Sequence, residues 1–325
     1  GGVAAALQAR RLGLSVRLVD RGGRAGGLVR AGRWIENLPG LEPMPGEALA
    51  ARFEADLGRF GVQVERREVT AVERDLHGFT LRSADSPPMV ARVLVVAVGS
   101  RPRSFDVPGA ARLAGTLVFD EVRSLLANHP APRRAIVIGA GEAGVDQALS
   151  LAEAGAEVDL VTRAAGASVA GRLADALVAC AGIRLRCGWT PAVLARQGAL
   201  VAVTPWAADG ARAEASIVAD AALVAIGRES AAAELIAPLV AAMDTGATIR
   251  TAGSGHEDHP MGQHRFTSAT VETEVPGLLV VGDARLGSLG QAGIAIGDGL
   301  FAAMSAARLI AAATDRGPDA RGSGR

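Results

Sequence analysis

The stretch AIVIGAGEAGVDQALSLAEAGAEVDLVTR, residues 135–163, contains an apolar strand, a glycine-rich turn, a helix and a second strand. Gly139, Gly141 and Gly144 have the spacing of a dinucleotide-binding turn. In such a turn the first glycine permits the tight bend, and the second lets the backbone approach a pyrophosphate. The third lets the helix pack closely on the strand. The stretch therefore predicts a dinucleotide site in a parallel α/β domain.

The start of the predicted helix and the end of the second strand indicate which dinucleotide is bound. Glu142 and Ala143 open the helix, whose N-terminal N–H groups favour a phosphate, although an acid there is also explained by the helix dipole. The second strand ends in Val161-Thr162-Arg163. No carboxylate stands there to bind the ribose of NAD, and Arg163 offers a partner for a 2′-phosphate. The residues favour NADPH, with NADH as the alternative.

The first twenty residues, GGVAAALQARRLGLSVRLVD, repeat the second part of this motif. Gly2 has the position of Gly144, with Gly1 before it, and Asp20 ends the following strand. An acid at that place suits the hydroxyls of an adenosine ribose without a 2′-phosphate, as in FAD. We interpret the stretch as a motif that lacks its first strand and first two glycines. We expect the sequence as it stands to bind FAD weakly. The alternative is an intact protein that begins with a helix.

Composition limits the partners. The chain has 325 residues, 49% of them hydrophobic, and a formal net charge of zero. This length suits two domains, and the charge argues against nucleic acid or an anionic membrane as partner. No apolar run in the sequence is identified as a membrane span, and a cytoplasmic location is expected. Cys180 and Cys187 match neither CxxC nor a zinc pattern. We expect two ordinary buried thiols, with a redox pair as the alternative.

Four further segments occur in an informative order. They are AGGLVRAGRWIENLPG (25–40), VLVVAVGSRPRSFDVPG (93–109), ADAALVAIGRES (219–230) and VPGLLVVGDARLGSLGQAGIAIGDG (275–299). With the two glycine motifs, they resemble the two-dinucleotide-domain flavoproteins of the pyridine nucleotide-disulfide oxidoreductase superfamily. The resemblance is strongest to the thioredoxin-reductase-like branch and covers residues 1–312.

The resemblance implies an α/β fold with two Rossmann-like, doubly wound, three-layer domains, the NAD(P) domain inserted in the FAD domain. The implied boundaries are 1–110 for the first part of the FAD domain, 111–244 for the NAD(P) domain, 245–313 for the second part of the FAD domain, and 314–325 for a disordered tail.

The resemblance also implies binding residues for both cofactors. Asp283 corresponds to an acid that accepts a hydrogen bond from the ribityl chain of FAD, although an acid there is also a common helix N-cap. The implied FAD residues are Gly1, Gly2, Asp20, Gly26, Gly27, Asn37, Pro39, Gly99, Gly282, Asp283, Gln291 and Ala292. The implied NAD(P) residues are Gly139, Gly141, Glu142, Ala143, Gly144, Arg163 and Gly227.

Three departures from the family pattern bear on function. The relay cysteines expected near 122–125 are absent from VFDEVRSLLANHPAPRR (118–134), which is predicted to be a helix and a linker. Gly290 stands where the family has an arginine near the flavin, and Arg285 is the nearest candidate to replace it. The segment 251–266 carries His256, His259 and His264, whose spacing matches no standard metal set. We expect a solvated loop there and no metal site.

The resemblance and these departures together predict an FAD-dependent NAD(P)H oxidoreductase. Hydride would pass from NAD(P)H to the flavin and then, without a CxxC relay, directly to a ferredoxin, a quinone, oxygen or a small metabolite. No catalytic side chain is assigned, and the resemblance implies a homodimer. The alternatives are a non-catalytic protein that binds flavin and nucleotide as part of a larger assembly, and a thioredoxin-reductase-type disulfide reductase that uses Cys180 and Cys187.

Overall fold

The computed structural model describes residues 1–206, 215–241, 271–285 and 287–315. The chain forms two compact units. The first comprises Gly1–Arg30, Trp34–Arg101 and Glu229–Arg325, and the second Ala31–Arg33 and Pro102–Arg228. The second unit is thus inserted in the first. The sequence placed the two main boundaries after residues 110 and 244, whereas the contacts divide the chain after residues 101 and 228.

The helices and strands follow the chain in three stretches. The first stretch contains α1 (Gly2–Arg11), β1 (Leu18–Asp20), α2 (Gly46–Arg59), β2 (Val64–Arg66), β3 (Ala71–Asp75), β4 (Gly78–Ser83), β5 (Ser86–Ala91), β6 (Leu94–Val96) and β7 (Ser100–Pro102). The second contains α3 (Ala110–Leu113), β8 (Val118–Phe119), α4 (Val122–Asn128), β9 (Arg134–Ile138), α5 (Glu142–Glu153), β10 (Glu157–Val161), α6 (Gly171–Ala179), β11 (Ile183–Arg186), β12 (Pro191–Gln197), β13 (Leu200–Pro205), β14 (Ile217–Ala219) and β15 (Ala221–Val224). The third contains β16 (Arg228–Ser230), α7 (Ala233–Ala241), β17 (Leu278–Val280) and α8 (Ala292–Asp315).

The second unit is built on a parallel five-stranded sheet in the order β11-β10-β9-β15-β8. Alternate residues of its strands enter different cores, as the two-residue period of a strand requires. Val137 and Leu160 pack with α4 and α5 on one face, while Ile136 and Val161 pack beneath the antiparallel sheet β12-β13-β14 on the other. This three-layer arrangement confirms the predicted α/β, Rossmann-like class for the unit.

The first unit contains two parallel strand pairs, β1 with β2 and β6 with β17, and the antiparallel meander β3-β4-β5. Helix α1 begins against both pairs. An ideal Cβ on Gly2 would lie 3.0 Å from Cβ of Ala97 and 3.8 Å from Cδ1 of Leu18. A side chain at this start of α1 would require Ala97 to shift by a few tenths of an ångström.

Helices α1 and α8 pack at very short range. The face of α1 that meets the core is made of small residues: Ala4, Ala5, Ala6 and Ala9. On α8, an ideal Cβ at Gly299 would lie 2.2 Å from the carbonyl oxygen of Gly1 and 2.8 Å from the backbone nitrogen of Ala5. The two backbones can approach this closely because neither helix has a large side chain at the contact.

Gly299→Ala is therefore expected to push α1 and α8 apart and lower the free energy of unfolding by about 1–3 kcal/mol, the usual cost of overpacking. Gly297→Ala is the matched control, because a Cβ there has no neighbour within 4 Å and alanine favours a helix. Chemical denaturation of both variants checks this. Equal stability of the two variants would contradict the packing account.

Helix α8 corrects one expectation from the sequence. Its residues Ala292–Ala313 are long and apolar enough to cross a membrane by length and composition, the one such helix in the described part of the chain. Ala302 and Ala303 are nevertheless fully buried in the protein. Helix α8 therefore packs on α1 along one face, whereas Leu300, Phe301 and Met304 of α8 are exposed.

Two predicted segments fall wholly or partly outside the described residues. The histidine-containing segment 251–266 lies entirely outside them. Of the tail predicted from residue 314, the first two residues still belong to α8, and 316–325 lie outside the described residues. Neither prediction is tested by the structure.

Candidate functional site

The turn between β9 and α5 contains three glycines, whose surroundings differ. Gly139 has a φ of +109°, and an ideal Cβ there would lie 2.2 Å from the carbonyl oxygen of Ala225. A Cβ on Gly144 would lie 1.9 Å from the carbonyl oxygen of Gly139, whereas one on Gly141 would meet nothing within 4 Å. The first and third glycines are needed for packing, and the second leaves open space in front of the backbone.

Backbone contacts fix this turn on the sheet. The N–H of Gly139 donates to the carbonyl of Val161 at 2.9 Å, and the N–H of Ser168 donates to the carbonyl of Ala140 at 2.8 Å. Gly141 is the N-cap of α5, and no side chain caps the helix there. Glu142 and Ala143 are exposed in its first turn. The helix N-terminus is thus open to an anion.

The end of β10 bears on the choice of nicotinamide cofactor. Thr162 is buried and Arg163 is exposed. The nearest acid in β10, Asp159, is buried and accepts hydrogen bonds from Arg134 at 3.1 Å and Arg186 at 2.7 Å. Because both carboxylate oxygens of Asp159 accept hydrogen bonds from these arginines, the carboxylate is not available to a ribose. Sequence reasoning did not assign this ion-pair network.

Residues after β8 and β15 form a second polar group in the same unit. Nη1 of Arg228 donates to Oε1 of Glu121 at 3.0 Å, and each side chain is 26% exposed. Burial raises the pKa of the Glu121 carboxyl, and the charge of Arg228 opposes the rise. Gly227, with φ of +105°, accepts a hydrogen bond from the N–H of Arg103 at 3.1 Å. The sequence pointed to Gly227 but not to this pair.

Asp20, at the end of β1, organises the loop that follows it. Its Oδ1 accepts hydrogen bonds from the N–H groups of Gly22 at 2.7 Å and Arg24 at 3.5 Å. Among the described residues, Oδ2 accepts none. One oxygen of Asp20 therefore holds the loop, and the other is left for a ligand hydroxyl.

The glycine pair of the same loop is packed on one side and open on the other. A Cβ on Gly26 would lie 2.6 Å from Cβ of Ala50 in α2, while one on Gly27 would meet nothing within 4 Å. Both glycines have positive φ, +104° and +48°. Gly26 is therefore held in place by close packing on α2, and the backbone of the next residue, Gly27, remains accessible.

An arginine that sequence reasoning missed holds this loop to α2. Arg30, whose side chain is 9% exposed, donates from Nε to the carbonyl of Ala25 at 2.6 Å. Its Nη1 and Nη2 donate to Glu47 and Glu54, both at 2.5 Å. Glu54 also accepts from the N–H of Ala25 at 3.2 Å. An arginine three residues after a glycine pair is only a weak sequence signal, because its partners come from a distant helix.

Residues far apart in sequence meet at the start of α8. Nδ2 of Asn37 donates to Oε1 of Gln291 at 2.6 Å, across 254 residues of sequence. Ala292 begins α8, and Pro39 is exposed two residues after Asn37. The structure thus brings together Asn37 and Gln291, which the resemblance had assigned independently to the flavin.

The turn that contains Asp283 lies beside the start of α1. A Cβ on Gly1 would lie 2.9 Å from Cγ2 of Val281, the residue before Gly282. Asp283 is half-buried in the 3-10 turn Gly282–Ala284. Gly99, with φ of +72°, follows β6 and accepts a hydrogen bond from the N–H of Ala231 at 3.0 Å. The predicted FAD residues therefore all lie in the first unit.

Comparison with known proteins identifies the family of the chain. The family described as pyridine nucleotide-disulphide oxidoreductase matches residues 1–299. The chain belongs to this family. Among solved structures it is similar to thioredoxin reductase of T. acidophilum, with a TM-score of 0.77, 22% identity and 94% of each chain covered. It is also similar to that of Lactococcus lactis, with a TM-score of 0.79, 22% identity and 96% of each chain covered. At this identity the likeness shows the fold.

Curated relatives of the family match shorter stretches. A component of the alkyl hydroperoxide reductase of Pseudomonas putida is 30% identical over 169 residues, 49% of this chain and 31% of that protein. Thioredoxin reductase of Chlamydia trachomatis is 26% identical over 172 residues, 50% of this chain and 54% of the relative. Ferredoxin–NADP reductase of Ignicoccus hospitalis is 27% identical over 132 residues, 40% of this chain and 42% of the relative. The matches thus span about half of these relatives or less.

Residues 122–125, where the resemblance led us to expect relay cysteines, contain none and are part of an apolar helix. The segment 122–125 begins α4, where Val122 and Leu125 are buried in the apolar core. The N–H of Val122 donates to Oε1 of Gln147 in α5 at 3.0 Å, which docks the helix. Of the two cysteines, Cys180 is half-buried and Cys187 is exposed, and neither forms a disulfide. The expectation that both thiols are buried is therefore wrong for Cys187.

Proposed function

We propose that the protein is an FAD-dependent NAD(P)H oxidoreductase that passes electrons from reduced flavin directly to an acceptor, without a dithiol relay. The observation that carries this proposal is the turn from Gly139 to Gly144. It has the tight first and third glycines and the open second glycine that a dinucleotide pyrophosphate needs. Its place in a separate unit from the predicted flavin residues matches the family arrangement.

The residues of the first unit fit FAD. Asp20 has a carboxylate oxygen available for the adenosine ribose, and Gly27 leaves its backbone open to close approach. Asp283 offers a half-buried carboxylate to the ribityl hydroxyls, and the Asn37–Gln291 pair presents amide groups beside the start of α8. Amides and carboxylates that are already held in place bind a polar cofactor with little further ordering.

The residues of the second unit fit a nicotinamide dinucleotide. The uncapped N-terminus of α5 would hold the pyrophosphate. Arg163, exposed at the end of β10 without a competing acid, supports NADPH over NADH. These groups bind and orient the nucleotide, and no side chain is assigned a proton-transfer step.

A bound flavin would supply the redox chemistry: it accepts hydride from reduced nicotinamide and returns electrons to an acceptor. The chain's own contribution is to hold each cofactor and exclude water. Residues 122–125 contain no cysteine and therefore offer no thiolate. The acceptor proposed is therefore a ferredoxin, a quinone, oxygen or a small oxidised metabolite. By family resemblance, we propose a cytoplasmic homodimer.

Removal of both cysteines tests the absence of a relay. The double variant Cys180→Ala/Cys187→Ala is expected to keep NADPH oxidation with an artificial electron acceptor within about twofold of the unmodified protein, since neither thiol takes part. Steady-state kinetics with matched flavin content measures it. Loss of turnover in the double variant at unchanged flavin content would favour the disulfide-reductase alternative.

A further inference from the structure

The turn that contains Asp283 is held at both ends by one carboxylate from α8. The N–H of Gly282 donates to Oδ2 of Asp298 at 2.9 Å, and Nη1 of Arg285 donates to Oδ1 at 2.5 Å. The side chains of Arg285 and Asp298 are only 12% and 11% exposed. A buried ion pair of this kind is costly to break, because the remaining charge loses its partner. The pair therefore ties the turn to α8.

Two further contacts restrict the same turn. Oγ of Ser230 donates to the carbonyl of Ala284 at 2.6 Å. Gly282 has a φ of +63°, and an ideal Cβ there would lie 3.1 Å from Cβ of Ala295. The backbone on both sides of Asp283 is thus fixed against α8 and against the segment that precedes α7.

Asp283 itself remains available. Among the described residues, its carboxylate makes no ion pair, and its Oδ1 accepts one long hydrogen bond, from Oγ of Ser288 at 3.3 Å. Arg285 lies only two residues away, yet its guanidinium pairs with Asp298.

We infer that Asp298 is a positioning residue, which acts with Arg285 to hold the Gly282–Ala284 turn so that the Asp283 carboxylate is presented to the ribityl hydroxyls of FAD. The inference rests on the proposed flavin-binding function. It also gives Arg285 a role different from the one that the sequence suggested. Its charge pairs with Asp298 and so holds the turn.

A double-mutant cycle tests whether Asp298 acts through Asp283. FAD affinity is measured by fluorescence titration for the unmodified protein, Asp283→Asn, Asp298→Ala and the double variant. We expect each single variant to weaken binding about tenfold. We expect the double variant to bind no more than about twofold more weakly than the weaker single variant, because residues that act as one unit are not additive.

A second variant and a control keep the test interpretable. Asp298→Asn retains an acceptor for the N–H of Gly282 but loses the charge that pairs with Arg285, and it replaces Asp298→Ala in the cycle if the alanine variant does not fold. Its bound flavin is expected to show an altered visible circular dichroism spectrum. Asp56→Asn, which removes the charge of an exposed acid paired with Arg59, should leave affinity and spectrum unchanged.

The outcomes separate this inference from the proposed function. If the unmodified protein binds FAD but the effects at Asp283 and Asp298 multiply independently, Asp298 has only a structural role and the inference is overturned. Unchanged affinity in both Asp298 variants would overturn it as well. If the unmodified protein binds no FAD, the proposed function itself fails.

Discussion

Gly144→Ala is expected to lower kcat/KM for NADPH by about 100-fold, equivalent to about 2.7 kcal/mol of transition-state stabilisation. The added Cβ would lie 1.9 Å from the carbonyl oxygen of Gly139 and 2.9 Å from its carbonyl carbon. Neither backbone atom can move without opening the turn that we propose holds the pyrophosphate. The free energy of unfolding is also expected to fall, by about 1–3 kcal/mol. Steady-state kinetics and chemical denaturation measure the two effects.

Gly141→Ala separates binding from folding in the same turn. Its φ of −82° suits alanine, and its Cβ would meet no protein atom within 4 Å. Stability should therefore change by less than about 0.5 kcal/mol, while NADPH affinity falls because the methyl group fills the space in front of the backbone. Gly58→Ala, on the exposed end of α2, should affect neither quantity adversely. Wild-type kcat/KM in Gly144→Ala would refute the proposed nucleotide turn.

Arg30→Met is expected to lower the free energy of unfolding by about 2–3 kcal/mol, because it removes charged hydrogen bonds from a largely buried site. The carbonyl of Ala25, Glu47 and Glu54 would all lose a donor. FAD affinity is expected to fall about tenfold, since the glycine loop would no longer be held to α2. Denaturation curves and a flavin titration measure these changes.

Arg24→Met is the matched control for Arg30. Arg24 also donates to Glu47, at 3.0 Å, but its side chain is 58% exposed. Exposed ion pairs contribute little, so the change should stay below about 1 kcal/mol. If Arg24→Met and Arg30→Met lowered the free energy of unfolding by similar amounts, then neither the burial of Arg30 nor its contact with Ala25 would account for its contribution to stability.

Local patterns in the sequence were sufficient for the strand-turn-helix-strand motif of the second unit. The apolar strand, the spaced glycines and the amphipathic helix of residues 135–163 predicted β9, α5 and β10 to within one or two residues, because each is specified by its own short stretch. The pairing of β12, β13 and β14 into an antiparallel sheet over one face of the parallel sheet was not predicted from the sequence. This pairing depends on contacts across the unit.

The side chains that support the site were harder to predict. Arg30 and Asp298 carry little local signal, because the ionic partners of both side chains lie 13 or more residues away in sequence. Asp298 was within a recognised family segment, yet only the structure shows which backbone N–H it accepts from. Asn37 and Gln291 were assigned separately from the resemblance, and the structure shows that they touch. The contacts of Arg30, of Asp298 and of the Asn37–Gln291 pair all depend on packing between segments that are distant in sequence.

Anaerobic reduction of the bound flavin by nicotinamide tests the central claim most directly. The flavin-loaded protein is mixed with NADPH in the absence of oxygen, and the visible flavin absorbance is followed with time. The proposed function predicts bleaching by NADPH, faster than by NADH, in the unmodified protein and equally in the variant without cysteines. A bound flavin that neither nucleotide bleaches would contradict it.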